Sequence, residues 1–270
     1  MKTIGVKCML SEKTKGHLEN LLKALDLPGS YRQYDWKNDH WNDGFREIRA
    51  LERSISAAAK SQSITKSHIL SIAQWGGLPD TGRIRCYRDP IAVPLYDGAV
   101  ISVAVKSDPV QVVRTIKQQT SGIGPTYISK VLRFAAPTVF GAIDSRLVRV
   151  FGTGDEKSST LQLLELRAGQ AAGGRWFIGP ENWPDGYGTW IAILNHIAAN
   201  LNSAGIICPH PDQFVSECLR ERGVWLPADV EMALFSYATR RIYGQLVSAK
   251  GCNHETQDSP EVTKPHFLEV

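Results

Sequence analysis

The residues whose types and spacing could do chemistry fall in one run, residues 119–152. It holds Gly122-Ile123-Gly124, then Pro125, and about twenty residues on Asp144, with Arg146 and Arg149 just behind. Two glycines around one apolar residue let the backbone turn sharply and approach another surface. Pro125 is favoured in the first turn of a helix. The N-terminus of that helix offers free N–H groups and a partial positive charge, a site for a phosphate. A hairpin of this kind holds a DNA backbone by shape, without reading sequence. The same glycines would equally serve a plain turn between two helices. Pro137 then breaks the chain, and an apolar stretch delivers Asp144 to the mouth of the next helix. A carboxylate there caps the helix and points into the groove between two helical lobes. Thr126 and Lys130 share a face of the intervening helix, about 6 Å apart at 1.5 Å rise per residue.

These residues need helices to position them, and helical periodicity runs through most of the chain. Leu18, Leu21, Leu22 and Leu25 predict a helix over residues 11–27, ended by Pro28-Gly29. Phe45, Ile48, Leu51 and Ile55 predict another over 44–60. Thr65 is an N-cap for a third, stopped by Gly76-Gly77 after Trp75. Further helices are expected over 109–119, 125–134, 145–151, 161–168, 190–201, 211–222 and 228–243. Residues 31–43, with Tyr31, Tyr34, Trp36, His40 and Trp41, read as an aromatic loop or cap. Asp97-Gly98 between two apolar runs is the signal for one short β-hairpin. The fold class is therefore mainly α. The organisation expected is an N-terminal helical lobe (1–108), the hairpin and Asp144 segment (109–152), a C-terminal helical lobe (153–250) and a flexible polar tail (251–270).

Composition excludes several classes. Hydrophobic residues at 43% and charged residues at 21% are inconsistent with a disordered, collagen-like or coiled-coil chain. At 270 residues the core needs no disulfide or metal staple. No apolar run approaches the ~20 residues of a membrane span, and the N-terminus lacks the apolar region of a signal peptide. A cytoplasmic protein is expected. The five cysteines (Cys8, Cys86, Cys208, Cys218 and Cys252) are scattered and form no C-x-x-C pair. That argues against a disulfide framework, a zinc ribbon and a cysteine-ligated iron–sulfur cluster. The net charge of +4 permits nucleic-acid binding and does not demand it.

Taken together, Gly122-Ile123-Gly124 and Ala142-Ile143-Asp144-Ser145-Arg146 with Arg149-Val150 resemble the helix-hairpin-helix (HhH-GPD) DNA glycosylase superfamily, in its 8-oxoguanine glycosylase-like branch. The second element is similar to that superfamily's Val-Asp-x-His-x-x-Arg-Val signature. The match covers residues 108–152, about a sixth of the chain. Residues 69–75 resemble the helix that supplies such enzymes' lesion-gap residues, and 228–235 resemble a late helix of the 8-oxoguanine-type members. The resemblance departs from the family at four places. The lysine that bifunctional members carry two residues after the second hairpin glycine is Thr126 here, the signature histidine is Arg146, the usual Leu-Pro before the hairpin is Thr120-Ser121, and the four-cysteine cluster is absent.

The resemblance implies a two-lobed helical fold and a monofunctional DNA N-glycosylase that acts as a monomer on double-stranded DNA containing a modified base, with no membrane partner. It implies no metal and no organic cofactor, with room for a monovalent cation at the hairpin. Breaking an N-glycosidic bond builds positive charge on the deoxyribose, and a carboxylate beneath the sugar stabilises it and orients a water. Asp144 is the residue in that role; its other reading is a helix cap alone. Gly122, Ile123, Gly124, Thr126, Arg146 and Arg149 would hold the DNA backbone, although both arginines could instead pair with acidic groups inside the protein. Lys130 reads as a solvated or phosphate-contacting lysine on a DNA-facing helix, or as a displaced nucleophile. A flipped base needs aromatic walls and a few polar groups, for which Trp36, Trp41, Trp75, Trp183, Tyr187 and Asp229 stand as alternatives to core packing, with Gln74 as a gap-filling wedge. His196 reads as a satisfied core histidine. The base would be an oxidised purine or a hypermodified base of phage DNA. A non-catalytic DNA-binding or damage-sensing module is the alternative function.

Overall fold

Ser11 accepts a hydrogen bond from Thr14 N–H and starts α1 (Glu12–Ala24). The computed structural model describes residues 10–37 and 39–250, with the side chains of Lys13 and residues 245–250 left aside. Cys8, Cys252 and the expected tail over 251–270 lie outside the described residues. Pro28 does not end a helix as expected. It sits in the first turn of a new one, α2 (Leu27–Arg32), capped by Asp26, because proline's missing N–H is no loss there. The aromatic loop is a tight ribbon, β1 (Asp35–Trp36) against β2 (Asp39–His40), followed by a single 3-10 turn. Next come α3 (Arg46–Ala59), β3 (Ser63–Ile64) and α4 (Lys66–Trp75), the last opened by Thr65 and His68 capping each other's backbone.

The expected hairpin at Asp97-Gly98 is present as β6 (Tyr96–Asp97) and β7 (Val100–Ile101). Its apolar flank pairs elsewhere: β5 (Ile91–Ala92) joins β3, and β4 (Arg85–Cys86) joins β8 (Thr120–Ser121). A short α5 (Val103–Ser107) precedes α6 (Val110–Gln119), α7 (Pro125–Ala135) and α8 (Ser145–Phe151). The helix expected over 161–168 is not there. Leu164, Leu166 and Ala168 are buried while Glu165 and Arg167 are exposed, an alternation of period two. That stretch runs extended into β9 (Ala168–Gln170), which pairs with β10 (Trp176–Ile178). Of the helix expected over 211–222, only α10 (Asp212–Ser216) forms. The helices α9 (Asp185–Ser203) and α11 (Pro227–Lys250) complete the described residues.

The fold is mainly α, with five short antiparallel strand pairs among the described residues. α7 packs on α3, α4 and α6, while α11 packs on α2, α8 and α9. One continuous cluster of buried apolar side chains, from Leu18 to Ile242, runs beneath both groups. Among the described residues, no helix is long and apolar enough to cross a membrane.

Candidate functional site

Between the two groups of helices opens a cleft of about 430 Å³. One bank is the turn after α4 (residues 76–79) with the hairpin residues Gly122, Gly124, Pro125, Thr126 and Tyr127; the other is Asp144, Ser145, Arg146 and residues 175–178 of the β9–β10 ribbon. Trp36 and Lys130 lie within it. Sequence reasoning placed the hairpin, Asp144, Arg146, Thr126, Lys130 and Trp36 at one site, and the fold brings those residues together.

Gly122 adopts φ +78°, and a Cβ there would sit 2.2 Å from the Arg83 carbonyl oxygen, so both backbone and neighbour require glycine. Its partner strand β4 anchors the turn through the β4–β8 pair. Gly124 precedes α7 with no side-chain cap, and nothing lies within 4 Å of where its Cβ would be. The first turn of α7 therefore faces open space. Ile123 packs half-buried against the core instead of lining the cleft.

Asp144 is the N-cap of α8: its Oδ1 accepts from Arg146 N–H at 2.9 Å and Leu147 N–H at 3.1 Å. Its Oδ2 has no hydrogen-bond partner among the described residues, and Asp144 lines the cleft. The approach to Asp144 is fixed by buried side chains. Tyr187 OH donates to the Gly141 carbonyl at 3.0 Å, Trp190 Nε1 to the Ala142 carbonyl at 2.9 Å, and Ser129 Oγ accepts from Ile143 N–H at 3.0 Å. Tyr187 is thus a support of the Asp144 segment and not a base wall. No local signal marks Ser129, Trp190 or Tyr187 for this task, since their partners are 14 to 48 residues away.

Lys130 is not a solvated surface lysine. It is 7% exposed, its Nζ lies 4.9 Å from the Trp36 ring centre, 4.8 Å from Trp75 and 5.6 Å from Tyr127, and it makes no hydrogen bond or ion pair among the described residues. Three rings at this range stabilise an ammonium electrostatically. Burial nevertheless pulls its pKa down to about 8, against the opposing pull of Asp144 and Glu231. Gly76 makes the space: a Cβ there would lie 2.7 Å from the Tyr127 ring and 3.2 Å from Lys130 Nζ. Arg146 is also held among rings, with its guanidinium carbon 5.2 Å from the centre of Trp36, 5.0 Å from Phe235 and 5.7 Å from Tyr243. Lys130, Arg146 and Arg175 against Asp144 alone give the cleft wall an excess of positive charge.

The remaining expected residues lie elsewhere. Arg149 pairs with Asp155 at 2.6 Å and stacks on Trp176, so it is an internal strut. Trp75 forms the wall behind Lys130, donating to Asp39 Oδ2 at 2.7 Å. Gln74 is exposed next to the cleft without lining it, and Lys37 Nζ donates to its carbonyl. Trp41 is tied to the Pro209 carbonyl, and Trp183 packs on Tyr187. His196 is half-buried against Asn200. Asp229 does not line the cleft and is buried in an ion-pair network: its carboxylate accepts from Arg220 Nε at 2.8 and 3.0 Å and from Leu226 N–H at 3.0 Å, and lies 3.2 Å from His210 Nε2. Cys208, His210 and Asp229 have ligand atoms within 4.8 Å of one another. Arg220 already supplies the cation for that carboxylate, and burial pushes the Cys208 thiol up and keeps it protonated.

Glu231 was not singled out by the sequence. Its stem packs where a side chain on Gly141 would be, and its Oε2 lies 3.5 Å from Arg133 Nε. Burial raises its pKa from 4.5 to about 7, helped by Asp144 and opposed by Arg133. A carboxyl with a higher pKa folded than unfolded stabilises the fold fully below its unfolded value, and that stability is lost as pH rises through the folded one. Denaturant midpoints should therefore fall between pH 4.5 and about 7, and Glu231→Gln should flatten the profile across that window. An unchanged slope in the variant would mean that the carboxyl ionises normally.

No family model, curated protein or solved structure matches the chain, and the chemistry of this cleft stands on its own geometry.

Proposed function

We propose that the protein is a DNA N-glycosylase that takes a flipped, modified base into the cleft and hydrolyses its N-glycosidic bond, leaving an abasic site. One observation carries the reading: Asp144 spends one carboxylate oxygen on its helix, leaves the other without a hydrogen-bond partner among the described residues, and lines a cleft whose opposite bank is an uncapped helix N-terminus behind a glycine hairpin. The hairpin and the first turn of α7 would grip a phosphate beside the flipped nucleotide. The free oxygen would face the sugar, where it stabilises the oxocarbenium charge and orients the attacking water. Trp36 offers a ring for the base to lie on, and Arg146 the donors to read its edge. An oxidised purine or a hypermodified base of phage DNA is the substrate class this reading carries.

The test is base release from duplexes carrying oxidised, alkylated or deaminated bases and from phage DNA with modified cytosines. Free base should appear with strand breaks only after alkali. Salt-sensitive duplex binding without release from any substrate would instead make the protein a DNA-binding module.

A second reading, in which Lys130 also attacks the sugar, is favoured by its unpaired amine inside the same cleft. With a pKa of about 8 the free-base fraction grows steeply across neutral pH. Borohydride trapping separates the two. A covalent adduct that increases from pH 7 to 9 and vanishes in Lys130→Met assigns the nucleophile; no adduct at any pH leaves Asp144 and water.

A further inference from the structure

The β9–β10 ribbon is the element of the cleft that no sequence signal assigned to DNA. It follows α8 directly and stands on it, with Trp176 stacked 4.4 Å from the Arg149 guanidinium carbon and Arg149 locked to Asp155. Its tip, Ala171-Ala172-Gly173-Gly174, carries almost no side chain and is fully exposed, a shape that enters a nucleic-acid groove without steric cost. From Arg167 to Ile178 the ribbon has two arginines and no acidic residue. Arg175, Trp176, Phe177 and Ile178 form the bank of the cleft facing the Gly122-Ile123-Gly124 hairpin.

Phe177 is 43% exposed at that rim. Its cross-strand partner is Gly169, and a Cβ on Gly169 would come within 2.6 Å of the ring. The ring is therefore backed by bare backbone on one side and open on the other. An exposed aromatic ring held flat, beside a cationic side chain and at the mouth of a cleft, is a stacking platform.

We propose that this ribbon is a second DNA arm, opposite the glycine hairpin, and that the exposed side of the Phe177 ring stacks on a base next to the flipped nucleotide. The assignment rests on the glycosylase reading of the cleft. The partner surface is duplex DNA at the unstacked step, recognised by ring stacking from Phe177 and by phosphate contact from Arg175. Flipping leaves the neighbouring bases without a stacking partner, and the platform restores one.

The experiment uses the full chain and two fluorescent duplexes, one undamaged and one carrying a tetrahydrofuran abasic-site analogue, which mimics the vacated stack. Wild type should prefer the analogue duplex. Phe177→Ala should reduce that preference about tenfold, as expected for losing one base–aromatic stack, with undamaged-duplex affinity unchanged. Phe177→Trp should retain it. Arg175→Ala should weaken both duplexes and lower the salt slope by about one. Because Phe177 is exposed, its truncation should leave the melting temperature near that of wild type, which confirms that the variant is folded. A preference in Phe177→Ala equal to wild type overturns the stacking role of Phe177 and leaves the glycosylase reading intact. No affinity of wild type for either duplex overturns the glycosylase reading itself.

Discussion

Asp144→Asn is expected to lower base release by about a thousandfold, within the range that removing one catalytic electrostatic or acid–base group produces, while the protein melts within a degree or two of wild type. The substitution is informative because Asp144 does two jobs on one side chain. As a cap, its Oδ1 takes the Arg146 and Leu147 N–H groups. Asparagine is about as good an N-cap as aspartate, and its amide oxygen can accept the same bonds. What asparagine lacks is the negative charge of a carboxylate that lines the cleft. Asp144→Ala removes both functions and should add about 1 kcal/mol of instability. If Asp144 were only a cap, the two variants would differ in the opposite sense: asparagine would be silent and alanine would lose activity in proportion to stability. Single-turnover release beside thermal melts on both variants reads the two columns separately. Full activity in Asp144→Asn would end the assignment.

The parts of the site that were legible in the sequence are those that depend on neighbours a few residues away. Gly122 announces a turn because its backbone needs φ > 0, and Asp144 announces a cap because the N–H groups that it takes are two and three residues on. The burial of Lys130 was not legible because its cage is assembled from Trp36, Trp75 and Tyr127, two of them more than fifty residues away. The aromatic residues show the same limit. Trp36, Trp41 and Tyr187 all spend their polar atoms on distant carbonyls, yet of the three only Trp36 lines the cleft, and nothing in their immediate sequence distinguishes them. The ribbon was lost to a misread period. Leu161, Leu164 and Ala168 fit a helix, but Leu164, Leu166 and Ala168 alternate with Glu165 and Arg167, and Gly173-Gly174 beyond them is a hairpin signal.

Arg220→Met should cost about 3–5 kcal/mol, the range for stranding the partners of a buried ion pair, and at 2–4 °C per kcal/mol for a chain of this size class the melting temperature should fall by roughly 10 °C. Arg220 is completely buried and ties three elements together: it bridges to both oxygens of Asp229 on α11 and to both oxygens of Glu52 on α3, from the segment after α10. Arg133 on α7 adds a weaker contact to Glu52 at 3.4 Å, so the network also buttresses the helix that carries Lys130. Methionine keeps most of the volume and removes the charge, which leaves Glu52 with Arg133 alone and Asp229 with His210. The state of Asp229 shows how much the arginine matters. Burial by itself would raise its pKa, yet Arg220 and His210 hold it at about 2, below its ordinary 3.8. A carboxylate shifted down in this way stabilises the fold above its unfolded pKa and loses that contribution as pH falls towards the folded value. Wild type should therefore destabilise steeply between about pH 4 and pH 2, and in Arg220→Met that acid limb should flatten. Neutralising the whole set with Glu52→Gln and Asp229→Asn on the Arg220→Met background should recover a large part of the loss, because the penalty comes from unpaired buried charge and not from the missing pair as such. Recovery would establish Asp229 as a structural residue of the network. A triple variant no more stable than Arg220→Met would show that the guanidinium's packing, and not its charge, holds α3, α7 and α11 in register beneath the cleft.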